Sequence, residues 1–191
     1  YQQHGTPITQ IYRAAGTTSV TMRVTTTDSN ATYQLLPGSG ATITHNNGLY
    51  TISNLNTGDN TIEIYVTAEN GTDMEVYRIN IHVKSNDTTL LSITISVGTR
   101  FSQQVSEGST LNLTVTAAEA QNQVSITAVP TNPITGVYQT GVKLVQLGIN
   151  TLTLRVVAED GTERYPTVNL NVTISDAENS VPCFPAGTKI L

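Results

Sequence analysis

Apolar and polar residues alternate with a period of two over most of this chain, in short runs separated by turn-forming residues. Val20, Met22 and Val24 make one run, Ile62, Ile64, Val66 and Ala68 another, and Tyr77, Ile79, Ile81 and Val83 a third. Successive side chains of a strand point to opposite faces, so each run predicts a strand with one buried face. The second half repeats the pattern over residues 91–97, 111–117, 152–158 and 168–174. No stretch carries a helical period, and an all-β protein is expected.

Part of the repetition is literal. Asn60-Thr61-Ile62-Glu63-Ile64-Tyr65-Val66-Thr67-Ala68-Glu69-Asn70-Gly71-Thr72 aligns without a gap on Asn150-Thr151-Leu152-Thr153-Leu154-Arg155-Val156-Val157-Ala158-Glu159-Asp160-Gly161-Thr162. The offset, 150 − 60 = 90 residues, is the length of one sandwich domain. In each copy Asn-Gly or Asp-Gly separates two alternating runs, which predicts a hairpin whose turn needs positive φ. Residues 16–24 answer to 107–115 with a one-residue slip, an indication of one strand order in both copies. Polar, turn-rich stretches mark linkers. The expected division is a first sandwich at 1–84, a linker at 85–89, a second sandwich at 90–175, a linker at 176–182 and a separate tail at 183–191.

Composition narrows what such a chain does. Charged residues make up 12%, where about a quarter is usual, and Thr takes 33 positions. With a net charge of −5 and no basic cluster, nucleic acid is not an expected partner. No apolar run approaches the roughly 20 residues of a membrane helix, so no membrane segment is expected. The single cysteine, Cys183, leaves no internal disulfide and no Cys-based zinc site. His4, His45 and His82 stand apart without a second ligand at metal-site spacing, so no metal or cofactor is expected. The domains must therefore hold by packing.

Glu69 and Glu159 occupy the same place in both copies, which points to a role in the fold, since catalytic groups seldom duplicate with a module. Asn30, Asn70, Asn86, Asn112 and Asn171 fit the glycosylation sequon, a frequent accident in so Thr- and Asn-rich a chain. Glycan binding favours an aromatic platform, and this chain has no Trp, two Phe and eight Tyr. Tyr12, Tyr33, Tyr50 and Tyr138 are the candidate contacts.

A strand, then Ala-Glu-Asp-Gly-Thr, then a closing strand, as at Ala158 to Thr162, resembles the ending of bacterial cadherin-like β-sandwich repeats; Ala68 to Thr72 differs only at Asn70. Leu91-Ser92-Ile93-Thr94-Ile95-Ser96-Val97-Gly98 is similar to that family's first strand. The resemblance implies two tandem immunoglobulin-like sandwiches of about seven strands each. It further implies a non-enzymatic, extracellular spacer or adhesive segment of a bacterial surface or phage virion protein. Its partners would be protein neighbours, other copies of the chain among them; a carbohydrate- or protein-binding module is the alternative. The acidic clusters by which animal cadherins hold Ca²⁺ between domains are not reproduced, because Asp87 stands alone where about six to eight oxygens are needed.

In the tail, Cys183-Phe184-Pro185-Ala186-Gly187-Thr188-Lys189-Ile190-Leu191 resembles the first strand of Hint modules, the fold shared by inteins, bacterial intein-like domains and hedgehog autoprocessing domains. The resemblance implies that the Cys183 thiol attacks the Pro182 carbonyl, turning the amide into a thioester with Pro182 as acyl donor. The downstream Thr/His pair and terminal His-Asn of such modules do not occur between Cys183 and Leu191, so this site is incomplete. Both ends of the sequence read as cuts in a longer protein.

Overall fold

The computed structural model describes residues 9–38, 40–115 and 123–175; Pro182 and Cys183 lie outside the described residues, as does His4. The chain divides into two compact units, Tyr1–Asn86 and Asp87–Leu191. Strands and turns make up all the described regular structure, as the alternation predicts.

The first unit contains β1 (Thr9–Arg13), β2 (Ser19–Met22), β3 (Thr32–Pro37), β4 (Thr42–Asn46), β5 (Leu49–Ser53), β6 (Gly58–Thr67) and β7 (Met74–Val83). One sheet has the order β1-β7-β6-β3 and the other β2-β5-β4. β1 runs parallel to β7, with Thr9 opposite Ile79 and Arg13 opposite Val83. The β6–β7 hairpin closes as its Asn-Gly turn predicts: Gly71 has φ 72° and its N–H donates to Ala68 O at 2.9 Å. The Asn70 Oδ1 accepts the N–H groups of Thr72 and Asp73, each at 3.0 Å. Ile52, Leu55, Ile62, Ile81 and Val83 form the core, with Val20, Met22, Ile43 and Ile79 packed against it.

The second unit contains β8 (Leu90–Val97), β9 (Phe101–Val105), β10 (Thr110–Val115), β11 (Gln123–Pro130), β12 (Gly136–Tyr138), β13 (Gly141–Leu144), β14 (Gly148–Thr153), β15 (Arg155–Val157), β16 (Glu163–Arg164) and β17 (Thr167–Ile174). They form the sheets β10-β17-β14, β13-β11-β8-β9 and β12-β15-β16. The continuous β6 of the first unit is split here into β14 and β15. Both halves keep one register, and the break falls where Leu154 faces Pro166. Proline has no N–H to give the ladder, although the Pro166 carbonyl still accepts from Leu154 N at 2.9 Å.

Strand pairing revises one expected correspondence. β10 lies parallel to β17 as β1 does to β7, β11 pairs with β13 as β2 does with β5, and β12 pairs with β15 as β3 does with β6. The counterpart of β10 is therefore β1, and residues 16–24 do not correspond to 107–115. Every half-buried strand shows the same alternation, so a pattern match without literal identity does not say which strand it is; its partner does. The run also stops at Met22 rather than Val24, whose carbonyl accepts the Tyr33 hydroxyl at 3.2 Å. Among the described residues, β4 has no counterpart in the second unit and the β8–β9 hairpin none in the first.

Between the units, Lys84 N donates to Arg13 O at 3.0 Å, within the first. Asp87, Thr88 and Thr89 are fastened to the second: their carbonyls accept from Thr135 Oγ1 at 2.8 Å, Arg164 Nη2 at 2.7 Å and Thr131 N at 3.0 Å. Arg164 also forks onto the Glu107 carboxylate.

Among the described residues, thirteen buried apolar side chains cluster in the second core against five in the first. Two calorimetric transitions are therefore expected, with the first unit melting lower. Leu154, 1% exposed in the second core, tests the assignment. Leu154→Ala should destabilise that unit by about 2–5 kcal/mol and leave the first transition in place; a shift of both transitions, or of neither, contradicts the two-core description.

Candidate interaction surface

Between β5 and β6 the chain leaves one sheet for the other, and its backbone groups lose their ladder partners there. Asn60 replaces them. Its Oδ1 accepts Asn56 N–H at 2.9 Å, and its Nδ2 donates to the carbonyls of Asn56 at 2.8 Å, Gly58 at 3.0 Å and Ile81 at 3.1 Å. Asn150 repeats the arrangement, accepting Gln146 N–H at 2.8 Å and donating to Gln146 O at 2.6 Å and Gly148 O at 3.1 Å. Gly58 and Gly148 take φ values of 89° and 88°, a region open to glycine. Leu55 and Val145 are buried as the apolar anchors of the two turns. The turn therefore fixes its anchor, its glycine and its asparagine, and leaves Thr57 and Asp59, or Leu147 and Ile149, directed outward.

The strand before each turn completes the comparison. Ile52 stands opposite Val20 in the first unit, and Lys143 stands opposite the buried Val124 in the second. Directly opposed residues share a face, so Lys143 takes the core-side place of Ile52, while Val142 and Leu144 take the outward places of Thr51 and Ser53. Asn54, at φ 58°, is an extra residue in the first unit. The alternation of β13 is thus inverted relative to its core. Val142 is 62% exposed, Leu144 77%, Leu147 55% and Ile149 68%. All four occupy places that are polar in the first unit, and β13 and β14 are both edge strands.

The other candidates are absorbed by the fold. His82 is buried, with Nδ1 at 2.5 Å from Asp59 Oδ1 and its ring 5.4 Å from that of Tyr12. The bond to His82, and then one from Asn80, hold the Asp59 carboxyl below its ordinary value. Tyr33, Tyr50 and His45 come together in the first unit, with His45 stacked on Tyr50 at 4.3 Å and Tyr33 edge-on to it at 6.1 Å. Tyr138 lies under the Arg155 guanidinium at 5.3 Å in the second unit. The four tyrosines therefore do not share one platform. A cavity of about 430 Å³ opens in the first unit between residues 24–28 and Ile64, Val66 and Ile79. Among the described residues no group of three or more His, Cys, Asp or Glu is placed to hold a metal ion.

Glu69 is exposed and Glu159 half-buried at equivalent turns, and bonds that close those turns come from Asn70 and from Asp160, whose Oδ1 accepts Thr162 N–H at 2.8 Å. Two further carboxylates sit in outward networks. Glu63 accepts from Arg78 Nε and from the Tyr65 hydroxyl, each at 2.8 Å. Glu163 is gripped by Arg155, with Nε at 3.1 Å, and by the Tyr165 hydroxyl. Arg155, and after it Tyr165, holds the Glu163 carboxyl at about 2. The legible signal was a Glu two residues before a Tyr, with an Arg across the hairpin.

Residues 6–84 match the family model of the cadherin-like beta sandwich domain. No curated protein matches the chain. Among solved structures it is similar to protocadherin gamma B7 extracellular cadherin domains 1-4, at 10% identity over 91% of this chain and 51% of that one, with a TM-score of 0.41. The mouse clustered protocadherin fragment EC1-3 is 11% identical over 91% of this chain and 67% of that one, with a TM-score of 0.49. An I-band fragment from titin is 11% identical over 88% and 64% of the two chains, with a TM-score of 0.42. The chain thus spans about half the length of the first of these structures and about two thirds of the others.

The Glu163 network carries a pH signature. Its carboxyl is depressed in the folded state, so its stabilisation is complete above the ordinary value near 4.3 and is lost as pH falls toward about 2. The gap in second-unit melting temperature between wild type and Glu163→Gln should therefore close between pH 5 and pH 2, as read by calorimetry. A gap independent of pH contradicts the assignment.

Proposed function

We propose that this chain is a non-enzymatic spacer and adhesive segment of a larger extracellular protein, on a bacterial surface or a phage virion. Cadherin-like and immunoglobulin-like sandwiches are in general non-catalytic, and the family match in residues 6–84 supports that reading. No helix among the described residues is long and apolar enough to cross a membrane.

The observation that carries the spacer reading is the parallel pairing of β1 with β7. A first strand parallel to the last brings the chain in at one pole of the unit and sends it out at the other. Tension on the two ends then loads the hydrogen bonds between those strands together, in shear. β10 and β17 repeat the parallel pairing over six residue pairs, from Thr110↔Asn169 to Val115↔Ile174, but β8 and β9 precede β10, so the shear argument holds for the first unit. Pulling the full chain by its ends should give a resolved force peak for the first unit, releasing roughly 25–30 nm of chain at about 3.6 Å per residue. Extension without resolved peaks would contradict a load-bearing spacer.

The Hint-like tail adds a second element to the proposal, with Cys183 as the nucleophile of a self-processing module continuing past Leu191. Intact-mass spectrometry on a chain that continues beyond Leu191 should reveal scission or splicing at Pro182–Cys183, abolished by Cys183→Ala. A single uncut mass in both would reduce the tail to a chance pattern.

A further inference from the structure

We infer that Asn47 is a site of spontaneous backbone modification, at which its side-chain amide closes onto the Gly48 nitrogen, and that the fold withholds the same reaction from Asn70-Gly71. The two pairs share one dipeptide and differ in what holds it.

The reaction needs a free nucleophile and a free amide. The glycine nitrogen bonds to the asparagine Cγ, its proton passes to solvent, and Nδ2 leaves as ammonia. Water then opens the five-membered imide. Attack at Cγ gives Asp, and attack at the main-chain carbonyl gives isoaspartate, whose chain runs on through Cβ and Cγ. Water is consumed, ammonia is released, and nothing is oxidised or reduced. At Asn70-Gly71 both groups are engaged. The Gly71 N–H donates to Ala68 O at 2.9 Å. The Asn70 Oδ1 accepts from Thr72 N and Asp73 N, each at 3.0 Å, and its Nδ2 donates to Asp73 Oδ2 at 2.7 Å. Swinging Cγ onto the Gly71 nitrogen would break these bonds together. The second unit holds its Asp-Gly pair in the same way, with Asp160 Oδ1 accepting Thr162 N at 2.8 Å and Gly161 N donating to Ala158 O at 3.0 Å.

Asn47 and Gly48 form the tip of the hairpin between β4 and β5, flanked by the Asn46↔Leu49 pair. Their φ values of 50° and 75° belong to the tight turn that Asn-Gly favours. Among the described residues no hydrogen bond engages the Asn47 side chain or the Gly48 N–H. Asn47 is exposed, and a Cβ on Gly48 would meet nothing within 4 Å beyond its chain neighbours, so the amide has room to swing beside the Gly48 nitrogen. Isoaspartate adds a methylene to the main chain. In a two-residue turn that extra length falls on the β4–β5 register, which sets Ile43 opposite the buried Ile52. Modification at Asn47 therefore loosens one edge of the first core and leaves the second unit untouched.

Peptide mapping by mass spectrometry of the intact chain, kept folded at neutral pH and body temperature over weeks, tests this. The peptide holding Asn47 should pass from the amide to the acid mass as a mixture of Asp and isoaspartate. The peptide holding Asn70 should convert at least tenfold more slowly. In chain unfolded by urea the two should convert at comparable rates, because the dipeptide is the same. Equal rates at the two sites in the folded chain overturn the inference. So does an Asn47 that stays intact while the unfolded chain converts, or a tenfold preference for Asn47 that persists in urea.

Discussion

A chain that builds two opposed sheets must carry its backbone from one to the other, and at each crossing the peptide groups leave their ladders without reaching water freely. The side-chain amides of Asn60 and Asn150 resolve this with bonds to the backbone two and four residues earlier, and Asn60 reaches across to Ile81 as well. Each amide has an acceptor and two donors, which is what a short loop with one stranded N–H and two stranded carbonyls demands. Everything after the crossing depends on it. β6 and β14 begin in register with their closing strands only because the turn before them has one conformation.

Once the crossing is fixed, packing completes each unit mainly through β-branched and leucine side chains, without Trp. The charged groups work in small outward networks: Glu63 with Arg78 and Tyr65, Glu163 with Arg155 and Tyr165, and Arg164 between Glu107 and the carbonyl of Thr88. The last of these secures residues after the unit boundary to the body of the second unit. A chain with few charges uses them where backbone or hairpin ends would otherwise be loose.

Much of the fold was legible in the chain. The alternation identified the strands, and the literal match between 60–72 and 150–162 identified the hairpin, its turn and its glycine, because identical residues carry identical turn chemistry. The match between 16–24 and 107–115 failed because alternation alone is common to all half-buried strands and partner choice is decided at long range. The exchanged faces of β13 were hidden for a related reason. Only the pairing of Lys143 with Val124 reveals that β13 turns Val142 and Leu144 outward. Pro166 stood in plain view, yet its effect on the ladder needed the register that sets it opposite Leu154.

The unequal cores have a meaning beyond stability. If the chain bears load as proposed, two links in series carry the same tension, and the first has the smaller apolar cluster and the open cavity beside Ile64 and Val66 but also the end strands held in shear. Whichever yields first would lengthen the tether and let the load fall while the other stays folded. A pair of unequal links would thus act as an extensible reserve, in which a sudden pull is spent on paying out chain.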